Sequence, residues 1–353
     1  MRTGPALLLS TCLLAGCPAA APSTPTWELT DPSTSVVVPD DTLGSTGRGD
    51  AGTSSTGGPA EDSSAAVSSG TTGAPFPDLP PQPDLGELTP EGCKGKIDFL
   101  FVVSSMSVMQ SIQTRMIDAF ADFHATIAAN FADFDYHIMV VDGDLDWGNA
   151  YCNEDCAACK VPGYPCQLVD GLDACDLSYG GGHVANAGTY ASNRDCGVVG
   201  GRRFLTREQP KLGDTFSCIA QVGTDGYEML GKALTDSLSP EFEGPGGCNQ
   251  GFLRDDALLM VTFVMGGNDY DSPGGPDEWA QAVIDAKGGD PGAVVMFGLF
   301  APNCTEDPED RLCQMVTKFP YWQVESNQVD DYGPAFAKAT ELVDTACTAF
   351  IPK

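Results

Sequence analysis

Lys96–Val103, KIDFLFVV, is the stretch that most narrows what this chain can fold into. It is a continuous apolar run broken only by Asp98, and it has the length of one strand. Such a strand is buried on both faces, as in a parallel sheet with helices on either side. Ser104, Ser105, Met106 and Ser107 follow as a polar turn. Met109, Ile112, Met116, Phe120, Phe123 and Ile127 then recur at helical spacing, which predicts an amphipathic helix over 108–130.

The same alternation continues. Tyr136–Val141 (YHIMVV), Ala257–Val264 (ALLMVTFV) and Ala293–Phe300 (AVVMFGLF) read as further buried strands. Tyr227, Leu230, Leu234 and Leu238 mark a helix, and Pro276–Lys287 marks another, closed by Gly288 and Gly289. Phe336, Ala339, Val343 and Phe350 stripe a last helix that starts near Pro334. Alternating strands and helices predict an α/β fold, Rossmann-like and doubly wound, with a mostly parallel sheet covered on both faces. Ligands of such sheets bind at the carboxyl ends of the strands.

The N-terminal part has another character. Arg2 and the apolar run Pro5–Leu14 read as an export signal over 1–16, too short for the ~20 residues that span a bilayer. The run closes in Leu14-Ala15-Gly16-Cys17, which resembles a bacterial lipobox. That resemblance implies cleavage before Cys17 and a diacylglycerol on its sulfur, each buried CH₂ contributing about 0.8 kcal/mol to anchoring. An ordinary signal peptide is the alternative. By resemblance to enterobacterial lipoproteins, in which an Asp after the lipidated Cys is associated with inner-membrane retention, Pro18 implies the outer membrane, on its periplasmic face or at the cell surface. Residues 17–92 are rich in Pro, Ser, Thr and Gly and cannot offset their ordering entropy, so they are expected to be a disordered tether. Its r.m.s. reach is about 45–50 Å. Arg48-Gly49-Asp50 within it is a weak signal for an integrin ligand.

Of the 14 Cys, Cys12 lies in the signal and Cys17 at the lipid position. The others are Cys93, Cys152, Cys156, Cys159, Cys166, Cys175, Cys196, Cys218, Cys248, Cys304, Cys313 and Cys347. An even number in an exported domain predicts disulfides in an oxidising compartment, with the pairing open. Six of them fall in a Gly-rich insertion at about 147–207, whose order is expected to come from cross-links. The net charge of −31 disfavours nucleic acid and anionic membrane surfaces. It suits cations, basic proteins or plain solubility.

The folded part, 93–353, resembles a von Willebrand factor A-type domain, and more narrowly the Cys-rich, lipid-anchored versions found in myxobacteria. The resemblance rests on KIDFLFVV with Met109-Gln110 after the turn, GYPCQLVDGLDACD, ASNRDC, VGGRRF, FSCIAQVGTDG and GFLRDDALLMVTFV. It implies a metal-ion-dependent adhesion site on the top face. That site has Asp-x-Ser-x-Ser after the first strand, a Thr in a later loop, and an Asp after a central strand. Such hard oxygens suit Mg²⁺, whose open position takes a partner's carboxylate.

This sequence departs from that pattern. Counted from Asp98, the first-loop positions fall on Ser104, Met106 and Val108; one residue earlier they fall on Val103, Ser105 and Ser107. Neither register supplies the Asp. Thr224 matches the Thr, but Met265-Gly266-Gly267-Asn268 follows the central strand, with Asp269 and Asp271 arriving late. The expectation is a degenerate site with no obligatory cofactor. Its candidate binding face is Ser104, Ser105, Met106, Ser107, Thr224 and Asp269, meeting a protein or cell-surface polymer largely without metal. A domain that keeps Mg²⁺- or Ca²⁺-dependent binding, or a structural envelope spacer, are the alternatives.

Other constellations are weaker. Asp142, Asp144 and Asp146 follow the second strand and could converge on Ca²⁺, but Trp147 and Asn153 stand where an EF-hand needs Gly and Glu. Cys152, Cys156, Cys159 and Cys166 have zinc-like spacing, which the exported context favours as disulfides. Gly226-x₄-Gly231-Lys232 approaches a phosphate loop, with Ala233 in place of Ser or Thr. There is no His-Glu-x-x-His, and the folded region has no Gly-x-Ser-x-Gly. His124 and His137 read as structural, and His183 has no nucleophile beside it in sequence. An enzyme is not expected.

Overall fold

The apolar run at 96–103 forms the strand on which the sheet is built, and every residue from Ile97 to Val103 is buried. The computed structural model describes residues 92–130, 133–144, 173–224, 226, 229–301, 304 and 306–352. All belong to the unit Leu79–Lys353. The export signal, Cys17, the tether up to residue 91, Asp146, Cys152, Cys156, Cys159 and Cys166 lie outside the described residues.

In chain order the first elements are β1 (Lys96–Val103), α1 (Gln110–Asn130) and β2 (Asp135–Asp142). Three short strands follow, β3 (Ala185–Asn186), β4 (Arg194–Asp195) and β5 (Leu205–Thr206). Helices α2 (Leu212–Ala220), α3 (Leu230–Ser237) and α4 (Pro240–Glu243) lead to β6 (Leu258–Val264). The chain ends with α5 (Pro276–Ala286), β7 (Val294–Phe300), α6 (Arg311–Val316), β8 (Tyr321–Ser326) and α7 (Gly333–Ala349).

The main sheet has the order β5-β2-β1-β6-β7-β8. Its pairs are parallel except β5, which runs antiparallel to β2. The chain therefore winds outward from β1 in both directions, a Rossmann-like doubly wound α/β fold. Side chains of alternating parity feed two cores. Ile97, Phe99, Phe101 and Val103 pack with α1, α2 and α7, whereas Leu100 and Val102 pack with α3, α5 and α6. The strand order reverses between β1 and β6, which opens a crevice at their carboxyl ends.

The structure differs from the sequence reading at several edges. Helix α1 starts at Gln110 rather than 108, because the Met109 N–H closes a turn on the Met106 carbonyl at 3.0 Å and leaves Val108 56% exposed. Of the helix expected over Tyr227–Leu238, α3 forms Leu230–Ser237, with Ser239 at the N-cap of the separate α4 and Tyr227 outside the described residues. β5, at the end of the expected insertion, belongs to the main sheet. The half-exposed edge strand β8 has no apolar run to announce it.

Among the described residues, four disulfides join Cys93 to Cys347, Cys175 to Cys248, Cys196 to Cys218 and Cys304 to Cys313. Cys175 and Cys196, inside the insertion, both bridge to residues beyond it. The described half of the insertion is thus stapled to the α/β frame rather than to itself. The Cys93–Cys347 bridge ties the start of the domain to α7 across 254 residues, a closure on the order of 5.5 kcal/mol in the chain-entropy account. These bridges belong to an oxidising, extracellular setting. No described helix is long and apolar enough to cross a membrane.

Asp98, the one buried charge in β1, is clamped from the chain entering β6. Arg254 Nε donates to Asp98 Oδ1 and the Arg254 N–H to Oδ2, both at 2.8 Å, while Nη1 reaches Asp135 Oδ2 at 2.8 Å. Lys287 Nζ donates to the Arg254 and Ala257 carbonyls at 2.6 and 2.8 Å. Burial pushes the Asp98 carboxyl up to about 7 against the pull of Arg254 and Lys287. Asp98 therefore belongs to the foot of the sheet and has no part in the loop crevice. His137 is structural too. Its Nδ1 lies 2.7 Å from the Phe252 carbonyl and must carry the proton to donate there, and burial lowers its pKa to about 4.

Two predictions follow from this clamp. Arg254→Met leaves Asp98 buried without its cation and is expected to lower unfolding free energy by about 3–5 kcal/mol in denaturant titration, a loss largely recovered in Arg254→Met/Asp98→Asn. Glu243 is pushed by burial from 4.5 to about 8. The folded state thus keeps a proton that the unfolded state has lost, and stability falls as pH rises from about 5 to about 8. Melting curves of Glu243→Gln against wild type should show the wild type losing ground across that interval.

Candidate functional site

The loops at the carboxyl ends of β1, β2 and β6, with the segment leading into α3, form the crevice. They are tied together by main-chain bonds. Ser104 N–H donates to the Val264 carbonyl at 2.8 Å and Gly226 N–H to the Ser105 carbonyl at 2.9 Å. Met229 N–H reaches the Gly143 carbonyl at 3.3 Å. One side chain, Gln113, reinforces this from inside α1. Its Nε2 donates to the carbonyls of Ser104 at 3.0 Å and Gly223 at 2.8 Å, and its Oε1 accepts from Gly223 N–H at 3.4 Å.

The six residues expected on one binding face are only partly brought to the surface. Ser104 is fully buried, with its Oγ accepting the Met106 N–H at 3.2 Å. Thr224 is buried, and both its N–H and its Oγ1 donate to the Thr189 carbonyl, at 3.0 and 3.2 Å. Asp269 is fully buried and serves α3. Oδ2 accepts the Gly231 N–H at 2.7 Å and the Ser272 hydroxyl at 2.6 Å, and Oδ1 accepts the Ser272 N–H at 2.9 Å. α3 has no side-chain cap of its own, so this carboxylate takes the Gly231 N–H from across the chain while Ser272 Oγ takes that of Lys232 at 2.9 Å. Its placement off the face is a correction to the sequence reading. Only Ser107 is exposed, with Met106 half-buried.

Ser105 is buried, and its Oγ has no hydrogen-bond partner among the described residues. It presses on Gly226 together with Asp144, whose Oδ2 would stand 2.7 Å from a Cβ at position 226. Gly is required there by this convergence. Of the acidic loop, Asp142 and Asp144 are buried and do not project together into solvent. Asp142 Oδ1 accepts the Asp144 N–H at 3.3 Å and stands 3.4 Å from His183 Nε2. Burial opposes charge on His183, but the Asp142 carboxylate outweighs it and holds the imidazole above its ordinary pKa.

Between the β1 and β6 loops the contact is apolar. A Cβ at Gly266 would lie 2.6 Å from Val108 Cγ2 and 3.0 Å from Met109 Sδ, and one at Gly267 would lie 3.4 Å from Met106 Sδ. The β6–α5 loop is held from beyond by Arg311. Its guanidinium donates to the carbonyls of Asp269, Tyr270, Ser272 and Gly274 and stacks 4.5 Å from the Trp279 ring centroid. Tyr270, at the loop's tip, is 74% exposed. Among the described residues no group of three or more His, Cys, Asp or Glu is arranged to hold a metal ion.

Sequence reasoning missed Gln113 and Arg311. A Gln inside the apolar stripe of α1, between Ile112 and Met116, was the available signal. Arg311 carried none, since its partners are backbone carbonyls.

No family model matches this chain, and no curated protein matches it. Two solved structures of proximal thread matrix protein 1 from the mussel byssus are similar to it. Crystal form 2 has a TM-score of 0.38 and 14% identity, covering 72% of this chain and 49% of that one. The other has a TM-score of 0.37 and 13% identity, covering 72% and 48%. The chain thus spans about half the length of the protein it matches.

Asp269→Ala is expected to lower stability by about 2 kcal/mol through loss of the α3 cap, as read by denaturant unfolding. Calorimetric titration with Mg²⁺ should give the same trace as wild type. A changed trace with unchanged stability would assign Asp269 to an ion instead.

Proposed function

We propose that this chain is an exported, lipid-anchored binding module. A von Willebrand factor A-type domain with a degenerate adhesion site is held through Cys17 and a flexible tether at the outer membrane. It meets a protein or cell-surface polymer through its loop crevice, largely without metal, and is not an enzyme. The observation that carries this reading is the closure of the crevice by the protein's own groups. Ser104, Thr224 and Asp269 are engaged in local hydrogen bonds, and Met106 and Val108 pack over the two glycines after β6. What these loops offer a partner is apolar and aromatic surface, with Val108 and Tyr270 well exposed. The strand order and the disulfides support the fold and the oxidising compartment that the reading needs.

One observation favours a second reading, cation-dependent binding. The unpartnered Ser105 Oγ lies beside the Asp144 carboxylate, two hard oxygens on different loops. Calorimetric titration of the purified chain with Mg²⁺, Mn²⁺ and Ca²⁺ decides between them. The metal-independent reading expects no saturable heat at ion concentrations below about 1 mM. Tight Mg²⁺ binding that disappears in both Ser105→Ala and Asp144→Asn would establish the second. Proximity labelling on intact cells separates either from an inert spacer, which would give no neighbour sensitive to Tyr270→Ser.

A further inference from the structure

A groove runs along one flank of α1, from the turn after β1 toward the start of α7. Its first section, a cavity of ≈ 290 Å³, is lined by Val108, Ile112, Gly266 and Ala301, with Asn327 and Gln328 on the far wall. Its second section, ≈ 140 Å³, is lined by Asp118, Asp122, Asp330, Asp331 and Tyr332. Arg115 lines both and separates them.

The two sections differ in chemistry. The first presents aliphatic surface from Val108 and Ala301, beside the glycine that follows β6. The second presents four carboxylates against one guanidinium. That guanidinium is committed to the wall: Nη2 donates to the Asn327 carbonyl at 3.1 Å, and the group stacks 5.3 Å from the Tyr332 ring centroid. It approaches only Asp330, at 3.8 Å. Asp118, Asp122 and Asp331 have no ion pair among the described residues, and all three are exposed.

We propose that this groove docks a basic polypeptide segment. An apolar side chain sits against Val108, Ile112 and Ala301, and lysine or arginine side chains a few residues further on reach Asp118, Asp122 and Asp330; Asp331 is engaged by the Gly333 N–H at 2.8 Å. Charge complementarity selects this occupant. A second copy of the chain, at a net charge of −31, is repelled by the acidic section, as is any polyanion. A small polyamine would satisfy the carboxylates but leave the apolar section uncovered. The inference deepens the binding-module reading by naming the partner's chemistry, and it places the contact on a flank beside the loop crevice.

The test is fluorescence anisotropy of the purified chain with a short labelled peptide carrying one leucine ahead of paired lysines. A second peptide has the leucine replaced by serine, and a third has the lysines replaced by glutamate. Saturable binding of the first peptide is expected at low salt, weakening as salt rises because the contact is charged and exposed. Asp118→Asn/Asp330→Asn should weaken it about 10-fold, a loss of ~1.4 kcal/mol. Val108→Ser should weaken the leucine peptide and leave the serine peptide unchanged. These side chains are exposed, so melting temperatures serve as the folding control. Absence of saturable binding, or equal affinity for wild type and the Asp→Asn variant, would overturn the groove. If affinity is insensitive to the groove variants and falls in Tyr270→Ser, the groove is wrong and the crevice reading stands. If no peptide binds, the module reading is judged by the cell labelling alone.

Discussion

The burial of β1 on both faces is the constraint from which the rest of the structure follows. A strand apolar on both sides must be covered by helices above and below, and parallel neighbours supply them through crossover connections. The chain winds away from β1 in two directions, so the loops after β1 and β6 meet at one end of the sheet. At the other end the only buried charge in β1, Asp98, is held by Arg254, with Lys287 securing the backbone that carries Arg254. One end of the sheet is thus locked by buried charge, and the other presents loops.

What those loops can do depends on where their polar groups are spent. A hydroxyl or carboxylate that already bonds the backbone is poorly available to an ion or a partner. Ser104, Thr224 and Asp269 are in that position, and Gln113 adds a buried amide that bonds two of the loops at once. The shape of the crevice is set by main-chain bonds and by Met106 and Val108 over Gly266 and Gly267. Under the proposed reading, recognition falls to apolar side chains at the rim and to the acidic flank of α1, and the partner is a basic, partly apolar polypeptide.

Much of the frame was legible in the sequence. The runs at 96–103, 257–264 and 293–300 are strands within a residue of the expected limits, because a strand buried on both faces has only apolar positions. Elements at the margins were not legible. β8 is half-exposed and polar, and β5 is two residues long and held by pairing alone. The site was harder. Spacing along the chain brought Asp269 near the third position of the adhesion-site pattern that the sequence resembles, but it could not show that α3 begins without a cap and draws that carboxylate inward. Likewise, Ser105 and Asp144 meet only because Gly226 lets two loops approach. Such a contact depends on three-dimensional convergence and leaves no periodic trace.

The central claim is that the crevice is held by the protein's own bonds, with no ion needed. Hydrogen exchange of the Gly223, Thr224, Gly226 and Gly231 amides, all donors within or beside the crevice, tests it most directly. The account predicts equal protection of these amides in a metal chelator and in excess Mg²⁺. Exchange at unfolded rates in the chelator, with protection restored by Mg²⁺, would contradict it.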